Sequence, residues 1–402
     1  MTQFSTDGST TEKRSPISQR VRKIPPSGIR KFFDLLQNME GVISLGVGEP
    51  DFTTPWTIRE AAIYSITQGH TMYTSNYGTM ELRRAIAAHL ERLYGVNYDP
   101  ATEILVTIGV SEALDLSLRA LIDPGDEVLI SDPCYVAYSP CAILAGGVPV
   151  PVPTHVSDQF SLQASEVERR LTDRSKVMLL GYPCNPTGAV MDRTDLTAIA
   201  ELVQRKDLIV VADEIYDQLV YDGSHTCFAS LPGMRERTVL LGGFSKSYAM
   251  TGWRVGYAAA PAEILEAMMK VHQYVTMCAP TMSQDAALEA LKRGSRDVDE
   301  MRESYDRRRR FIVSELNNMG LTCFEPKGAF YAFPSITSTG LSSDEFAERL
   351  LVEEKVAVVP GSAFGACGEG FVRCCYATSL DEIKEAMERI GRFIRHTHAG
   401  AE

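Results

Sequence analysis

The stretch KVMLLGYPCNPTGAVMDRTDLTAIAELVQRKDLIVVADEIY, residues 176–216, decides the fold class. It holds two apolar runs, at 176–180 and 208–212, and a helical pattern lies between them at 195–204. The runs lack polar alternation, which is typical of strands buried on both faces of a mostly parallel sheet. A strand, a helix and a second strand in this order predict an α/β layered domain.

The same pattern extends outward from this stretch. Further strands are predicted at 104–108, 127–130, 238–241 and 255–258, and a further helix at 111–121. Near residue 295 the pattern changes. A long amphipathic helix is predicted at 302–319, isolated strands at 329–333, 356–359 and 371–376, and helices at 343–353 and 380–396.

We therefore expect a chain of three parts. Residues 1–47 form an N-terminal arm and a segment that packs on the small domain. Residues 48–295 form a large domain with a mostly parallel sheet flanked by helices, and residues 296–402 form a smaller α+β domain.

Composition excludes several classes of protein. The formal net charge of −12 disfavours a nucleic-acid surface, and we interpret the basic run 307–310 as a solvated helix face. Nine cysteines without a CxxC pair indicate reduced thiols in a cytoplasmic protein. The first twenty residues are Ser/Thr-rich and resemble a flexible arm, not a signal peptide. No run approaches the ~18 apolar residues of a membrane helix.

Several familiar catalytic motifs are incomplete. Gly46-Val47-Gly48 begins like a dinucleotide fingerprint, but Asp51 stands at the position of the third glycine. Residues 245–247 lack the glycines of a Walker A loop, and 361–365 are not GxSxG. No HExxH or other zinc spacing occurs, so no metal is expected.

The segment GGFSKSY, residues 242–248, carries the most informative lysine. It follows a predicted parallel strand and therefore lies at the carboxyl edge of the sheet, where ligands bind in open α/β folds. Lys246 alone would more often be a surface charge. With Ser245 beside it and Arg254 eight residues further on, it suits a phosphorylated aldehyde. The amine forms the imine and the other two groups hold the phosphate.

A second anion site is predicted where the strand 104–108 runs through a glycine turn into a helix opened by Ser111. Free N–H groups and the helix dipole favour an anion there. A simple N-cap serine explains the same pattern, and the two interpretations are compatible.

Three further strand ends carry polar or aromatic residues. Asp213 is costly to bury without a partner, which a pyridinium nitrogen or a structural salt bridge would supply. Tyr216 and Asn185 suit hydrogen bonds to the ring's phenolic oxygen, although Asn185 also fits an Asn-Pro turn. Tyr135 offers a face for stacking or for ordinary core packing. Arg373, inside an apolar strand, calls for a carboxylate from the protein or from a substrate.

Together these segments resemble the fold type I pyridoxal-phosphate enzymes, specifically the class I/II aminotransferases. The resemblance covers the chain from about residue 25 and rests on GEPDF (48–52), residues 73–78, NPTG (185–188), DEIY (213–216), SK (245–246) and MTGWR (250–254). SGIRKF (27–32) and MTGW (250–253) are similar to the branch that holds aspartate, aromatic and N-acetyl-diaminopimelate aminotransferases.

The resemblance implies a role for each residue. Lys246 would be the Schiff-base lysine and proton shuttle, with Asp213 on the pyridine nitrogen and Tyr216 and Asn185 on the phenolic oxygen. Tyr135 would stack on the ring. The phosphate would be held by Val110, Ser111, Ser245 and Arg254, and the substrate α-carboxylate by Gly48, Asn185 and Arg373. Tyr73 would reach the phosphate of a neighbouring subunit, which implies a homodimer.

Two positions depart from the family pattern. Gly243 stands where many relatives carry a hydroxyl residue, so one phosphate contact is lost. Ser111 stands where some aspartate-specific relatives carry a lysine, which puts strict dicarboxylate specificity in doubt.

We expect an aminotransferase that moves the α-amino group of aspartate, an aromatic or a related amino acid to a 2-oxo acid such as 2-oxoglutarate. The alternatives are another pyridoxal-phosphate enzyme, such as a cysteine-S-conjugate β-lyase, and a non-catalytic regulator built on the same fold. Fewer than 50 residues precede Gly48, so we expect no added DNA-binding domain.

Overall fold

A computed structural model describes residues 15–26 and 39–399. The segment SGIRKF and the first fourteen residues of the predicted arm lie outside the described residues. The strands are β1 (Ile43–Ser44), β2 (Ile104–Thr107), β3 (Glu127–Asp132), β4 (Val148–Pro153), β5 (Ser175–Gly181), β6 (Ile209–Asp213), β7 (Thr238–Gly243), β8 (Gly256–Ala259), β9 (Tyr331–Ala332), β10 (Val356–Ala357), β11 (Val359–Pro360) and β12 (Val372–Cys375).

The α-helices alternate with these strands over most of the chain. They are α1 (Gln19–Arg22), α2 (Trp56–Thr67), α3 (Met80–Tyr94), α4 (Gly109–Leu121), α5 (Tyr138–Ala145), α6 (Ala164–Arg170), α7 (Arg193–Arg205), α8 (Ala262–Val275), α9 (Thr281–Arg293), α10 (Ser295–Asn318), α11 (Ser343–Glu354) and α12 (Leu380–Ala399).

The main sheet has seven strands in the order β2-β8-β7-β6-β5-β3-β4. Strands β4, β3, β5, β6 and β7 run parallel to one another, while β8 is antiparallel to both of its neighbours, β2 and β7. The predicted α/β fold with a mostly parallel sheet flanked by helices is confirmed.

Apolar side chains cover both faces of the sheet. In β3, Leu129 packs into one buried cluster, whereas Val128 and Ile130 pack into another. In β5, Met178 joins the first cluster and Val177 the second. Burial on both faces explains why these strands read as continuous apolar runs and not as alternating ones.

Strand β4 was not predicted. Its sequence VPVPVP places prolines at three of six positions. Proline lacks the N–H that a central strand needs, which argues against a strand at the sequence level. β4 lies at the edge of the sheet and pairs only with β3, so its outer side needs no donor.

The C-terminal strands are paired, so the prediction of isolated strands is wrong. β9, β12 and β11 form a three-stranded antiparallel sheet, and β10 pairs in parallel with β1 at Ile43↔Val356. Ile43 and Leu45 belong to a buried cluster formed mainly by this region. The domain boundaries at 47 and 295 stay predictions.

The prediction of a solvated face for the basic run 307–310 is wrong for two of its arginines. Arg308 is 9% and Arg309 1% exposed. Arg308 donates to both carboxylate oxygens of Asp51, at 2.8 and 2.9 Å, and Arg309 pairs with Asp306 and Glu325, each at 2.7 Å. Burial of a guanidinium is tolerated when acidic partners surround it.

Among the described residues, no helix is long and apolar enough to cross a membrane.

Candidate active site

A cavity of about 530 Å³ opens at the carboxyl edge of the parallel strands. β5, β6 and β7 end at this edge, and the predicted residues Asn185, Asp213 and Lys246 lie at or just after their ends. The cavity is lined by Gly46, Val47, Gly48, Glu49, Val110, Ser111, Leu114, Tyr135, Val136, Tyr138, Pro183, Asn185, Asp213, Ile215, Tyr216, Ser245, Lys246, Thr251, Arg254, Tyr331 and Arg373.

Every residue predicted for the site except Tyr73 contributes to this lining. Tyr73 is 79% exposed and lies on the surface. The fold thus brings together residues that are up to 325 positions apart in the chain, from Gly48 to Arg373.

Lys246 reaches into the cavity. Its Nζ donates a 2.7 Å hydrogen bond to the carbonyl oxygen of Gly48 and lies 5.9 and 5.8 Å from the ring centroids of Tyr216 and Phe330. Burial lowers the pKa of the amine to about 8, because a charged ammonium is poorly solvated there. The neutral, nucleophilic form is therefore accessible close to neutral pH.

Asp213 is 7% exposed at the end of β6. Burial raises the pKa of its carboxyl to about 6. The Tyr138 hydroxyl donates to its Oδ2 at 2.9 Å and the Ile215 amide to its Oδ1 at 3.2 Å. Both donors are uncharged, so within residues 39–399 the alternative of a structural salt bridge finds no support.

An anion cradle lies at the start of α4. The helix begins at Gly109 after the N-cap residue Ile108, which makes no side-chain capping bond. The prediction that Ser111 opens the helix is therefore wrong: Ser111 is the third residue of the helix, and it is exposed. The helix begins at Gly109, two residues before Ser111. Gly109 supplies the positive φ of 70° that the turn into the helix requires.

Arg254 packs against this helix end. Its Nη2 lies 2.8 Å from the point where a Cβ on Gly109 would stand, and its Nη1 donates to the Thr251 carbonyl at 2.9 Å. A guanidinium and the N-terminus of α4 thus face the same part of the cavity, a combination suited to a phosphate.

The glycine at position 243 occupies a closely packed place. A Cβ there would lie 3.1 Å from both the Val110 Cγ2 and the Ile215 Cδ1. The sequence indicated that Gly243 replaces the hydroxyl residue of many relatives. In this structure a larger side chain at position 243 would be crowded by Val110 and Ile215.

Arg373 lies beside the cavity in β12 and is 3% exposed. Its Nη1 donates to the Asn185 Oδ1 at 2.8 Å and its Nη2 to the Gly46 carbonyl at 2.6 Å, while its buried Nε has no partner. The Tyr331 ring centroid lies 4.6 Å from its Cζ. Among the described residues it has no acidic partner, and this arrangement suits an anionic ligand.

Two tyrosines of the site, Tyr138 and Tyr331, were not predicted from the sequence. Tyr331 exchanges a 2.7 Å hydrogen bond with the Tyr216 hydroxyl, and a Cβ on Gly48 would lie 2.5 Å from its Oη. Tyr138 contacts Asp213. Tyr331 sits in a run of aromatic residues within a predicted strand, and no sequence signal distinguishes which of them faces the cavity.

These residues fit pyridoxal phosphate. The Lys246 amine, with its lowered pKa, suits the aldehyde of the cofactor, and the buried Asp213 carboxylate suits its ring nitrogen. The anion cradle suits its phosphate, and Arg373, whose Nε has no partner, suits the carboxylate of a substrate.

Comparison with known proteins agrees with this geometry. A sequence model of the family "Aminotransferase class I and II" matches residues 40–390. The chain is 48% identical to the aspartate aminotransferase of Pyrococcus abyssi, covering 94% of this chain and 98% of that protein. It is 46% identical to aromatic-amino-acid aminotransferase 2 of Thermococcus litoralis, with the same coverage.

Among solved structures, the aspartate aminotransferase of Thermus thermophilus with maleate superimposes with a TM-score of 0.90 at 38% identity, covering 94% of this chain and 100% of that one. The chain therefore belongs to the class I and II aminotransferases. It is a fold type I transaminase that depends on pyridoxal phosphate, and the predicted resemblance is confirmed.

Proposed function

We propose that Lys246 attaches the cofactor through its Nζ and then moves the proton of the reaction. The observation that carries this proposal is the gathering of a lysine, a carboxylate, an anion cradle and an arginine without an acidic partner among the described residues around one cavity. Because burial lowers the pKa of Lys246 to about 8, its freed amine can accept the α-proton of a bound amino acid. The cofactor, when bound, supplies an electron sink for the charge left on that carbon.

Asp213 is proposed to hold the protonated ring nitrogen of the cofactor. A cation at this nitrogen would favour the ionised carboxylate and offset the desolvation that now raises its pKa. Tyr135, half-buried in the same cavity, is proposed to stack on the ring.

The phosphate is proposed to bind where Arg254 meets the start of α4. Val110 and Ser111 would supply N–H groups of the first turn, and Ser245 a hydroxyl. Arg254 would add a charge-assisted pair of hydrogen bonds.

The substrate α-carboxylate is proposed to bind Arg373. Each Nη group keeps a second N–H beyond its bond to Asn185 or Gly46, so the guanidinium can offer a further pair of hydrogen bonds, with Gly48 beside it. Asn185 and Tyr216 are proposed to hydrogen-bond the phenolic oxygen. The hydrogen bond between the Tyr216 and Tyr331 hydroxyls already orients the Tyr216 hydroxyl.

We further propose a cytoplasmic homodimer in which Tyr73 reaches the phosphate of the neighbouring subunit. Tyr73 is 79% exposed beside other exposed apolar side chains, which supports an interface there. All nine cysteines are free thiols, as expected in a reducing compartment.

The amino donor is proposed to be aspartate, an aromatic or a related amino acid, and the acceptor 2-oxoglutarate. Three cations line the cavity, Lys246, Arg254 and Arg373, and each has a proposed role at the reacting end. A distal carboxylate would therefore need hydrogen-bond donors such as Ser111, or a group of the neighbouring subunit.

A donor panel tests this proposal. Aspartate, phenylalanine, tyrosine and N-acetyl-LL-diaminopimelate are each incubated with the holoenzyme and 2-oxoglutarate, and glutamate formation is followed. We expect acceptor-dependent glutamate formation from at least one of them. Acceptor-independent release of pyruvate and ammonia from a sulfur amino acid, without glutamate formation from any donor, would instead favour the β-lyase chemistry.

A further inference from the structure

We propose that Tyr138 is a positioning residue that fixes the Asp213 carboxylate in the orientation and charge state that the cofactor's ring nitrogen needs. This inference rests on the role proposed for Asp213. Tyr138 itself would touch neither the substrate nor the reacting carbon, and it would act through Asp213.

Two hydrogen bonds hold the Asp213 carboxylate. The Tyr138 hydroxyl donates to Oδ2 at 2.9 Å, and the Ile215 amide donates to Oδ1 at 3.2 Å. With one donor on each oxygen, the plane of the carboxylate is fixed. Its remaining lone pairs are left for a donor in the cavity, which both Asp213 and Tyr138 line.

The Tyr138 side chain has a closely fitted seat. It is 4% exposed, and its ring meets the Tyr135 ring edge-on, with centroids 5.6 Å apart at 85°. A Cβ on Gly181 would overlap the Tyr138 hydroxyl and lie 3.0 Å from two of its ring carbons. Gly181 pairs with Asp213 between β5 and β6, so the absence of a side chain there leaves the hydroxyl room beside the carboxylate.

The hydrogen bond from Tyr138 also favours the ionised form of Asp213. Burial raises the pKa of this carboxyl, and the hydrogen bond from Tyr138 is the largest influence that opposes it. Glu214 raises this pKa further and Lys246 lowers it. Burial also raises the pKa of Tyr138 well above its ordinary value, so the phenol stays a proton donor. Removal of the hydroxyl would favour the neutral form of Asp213.

The test uses holoenzyme of the variant Tyr138→Phe, which loses only the hydroxyl. We expect Lys246 still to bind the cofactor. We also expect kcat and the affinity for pyridoxal phosphate each to fall about tenfold, the size typical of losing one hydrogen bond to a charged group. The KM for the donor should change little, and the pH dependence of the bound cofactor's absorbance should shift.

Tyr182→Phe is the matched control. Tyr182 is also buried, at 5% exposure, but its hydroxyl donates to the Phe160 carbonyl at 2.7 Å and not to the site. We expect this variant to keep the affinity for the cofactor, its absorbance and kcat.

Gly181→Ala gives an independent measurement, including the case in which Tyr138→Phe fails to fold. The added methyl group must displace the Tyr138 hydroxyl, so the same losses are expected. In the Tyr138→Phe background, Gly181→Ala should cost less, because the nearest atom, the hydroxyl oxygen, is gone and only the two ring carbons at 3.0 Å remain close.

Asp213→Asn separates the two proposals. If Asp213→Asn loses most of its kcat while Tyr138→Phe matches Tyr182→Phe in affinity, absorbance and kcat, the inference about Tyr138 is overturned and the role of Asp213 stands. If Asp213→Asn keeps wild-type kcat and cofactor affinity, the role of Asp213 fails and the inference fails with it.

Discussion

At the scale of single residues, the site depends on Lys246 and Asp213, and burial disfavours the charged form of both. Burial lowers the pKa of Lys246 to about 8 and raises that of Asp213 to about 6. The two values lie much closer together than those of an exposed lysine and an exposed aspartate. Both groups can therefore change protonation state near neutral pH. Acid–base catalysis requires this of Lys246, whereas Asp213 needs its ionised form to hold a cation.

The first prediction concerns the pH dependence of cofactor binding. Asp213 is ionised above about pH 6 and neutral below it, and only the ionised form attracts a protonated ring nitrogen. We expect the affinity of the apoprotein for pyridoxal phosphate, measured by fluorescence titration, to weaken as pH falls through about 6.

Asp213→Asn is the control, because the phosphate group of the cofactor also titrates near this pH. The variant should bind more weakly at neutral pH and show a smaller change across the same range. An identical pH dependence in both proteins would contradict the prediction.

About half of the residues that line the cavity could be predicted from the sequence, but the tyrosines that orient them could not. Lys246, Asp213 and Arg373 stand at strand ends or inside an apolar strand, where a charged residue needs an explanation. Tyr138 and Tyr331 have no such signal, because a buried tyrosine is common and its hydroxyl partner depends on tertiary packing.

At the scale of secondary-structure elements, the anion cradle depends on how α4 begins. Gly109 has a φ of 70°, and the Arg254 guanidinium lies within 2.8 Å of the point where a Cβ on Gly109 would stand. The glycine is needed both for the conformation of the turn and for the close approach of the arginine.

The second prediction is that Gly109→Ala weakens binding of pyridoxal phosphate tenfold or more. The new methyl group would stand 2.8 Å from the Arg254 Nη2 and force the guanidinium away. Gly95→Ala is the matched control, because Gly95 has a similar φ of 68° at the end of α3 and no atom within 4 Å of an added Cβ.

Both variants should lose about 1–2 kcal/mol of stability, because both force alanine into a left-handed conformation. Only Gly109→Ala should lose cofactor affinity by isothermal titration. Equal cofactor affinity in the two variants would show that the start of α4 does not hold the phosphate.

Strands that are buried on both faces were predicted well, because burial gives them a continuous apolar run in the sequence. Strands without such a run were predicted poorly. The strands from β5 to β8 overlap the predicted runs, because both of their faces are apolar. β4 was missed because its prolines hide an edge strand. The short strands β10 and β11 were predicted as one strand, and the partner of β10, β1, is too distant in sequence to infer.

At the scale of the whole molecule, exposed apolar side chains concentrate around α2 and the segments beside it. Tyr64 is 62%, Met72 82% and Tyr274 86% exposed. The Thr281 hydroxyl ties the Met72 carbonyl to α9 at 2.7 Å, and α9 packs on α2. We define this surface as the α2 patch, and exposed apolar side chains that lie together in this way are typical of an interface between copies of a chain.

The third prediction is that Tyr64→Asp in the α2 patch shifts the chain from dimer to monomer in light-scattering chromatography. A buried, unpaired carboxylate on both sides of a symmetric contact is strongly unfavourable. Val352→Asp is the control, because Val352 is 60% exposed on α11, outside the patch.

In the proposed dimer, Tyr73 of each subunit reaches the phosphate of the other. The monomeric variant should therefore also lose cofactor affinity, since Tyr73 lies in the same exposed region. A Tyr64→Asp protein that stays dimeric, or a wild-type protein that is monomeric, would contradict the proposed assembly.

The most direct test of the site is to locate the covalent bond to the cofactor. Holoenzyme is treated with borohydride and digested, and the peptides are analysed by mass spectrometry. We expect the reduced cofactor on the peptide that contains Lys246, no adduct and no multiple turnover in Lys246→Ala, and wild-type behaviour in Lys270→Ala, a change at a surface lysine that is exposed on α8. An adduct on another lysine, or a Lys246→Ala protein that turns over at the wild-type rate, would contradict the assignment.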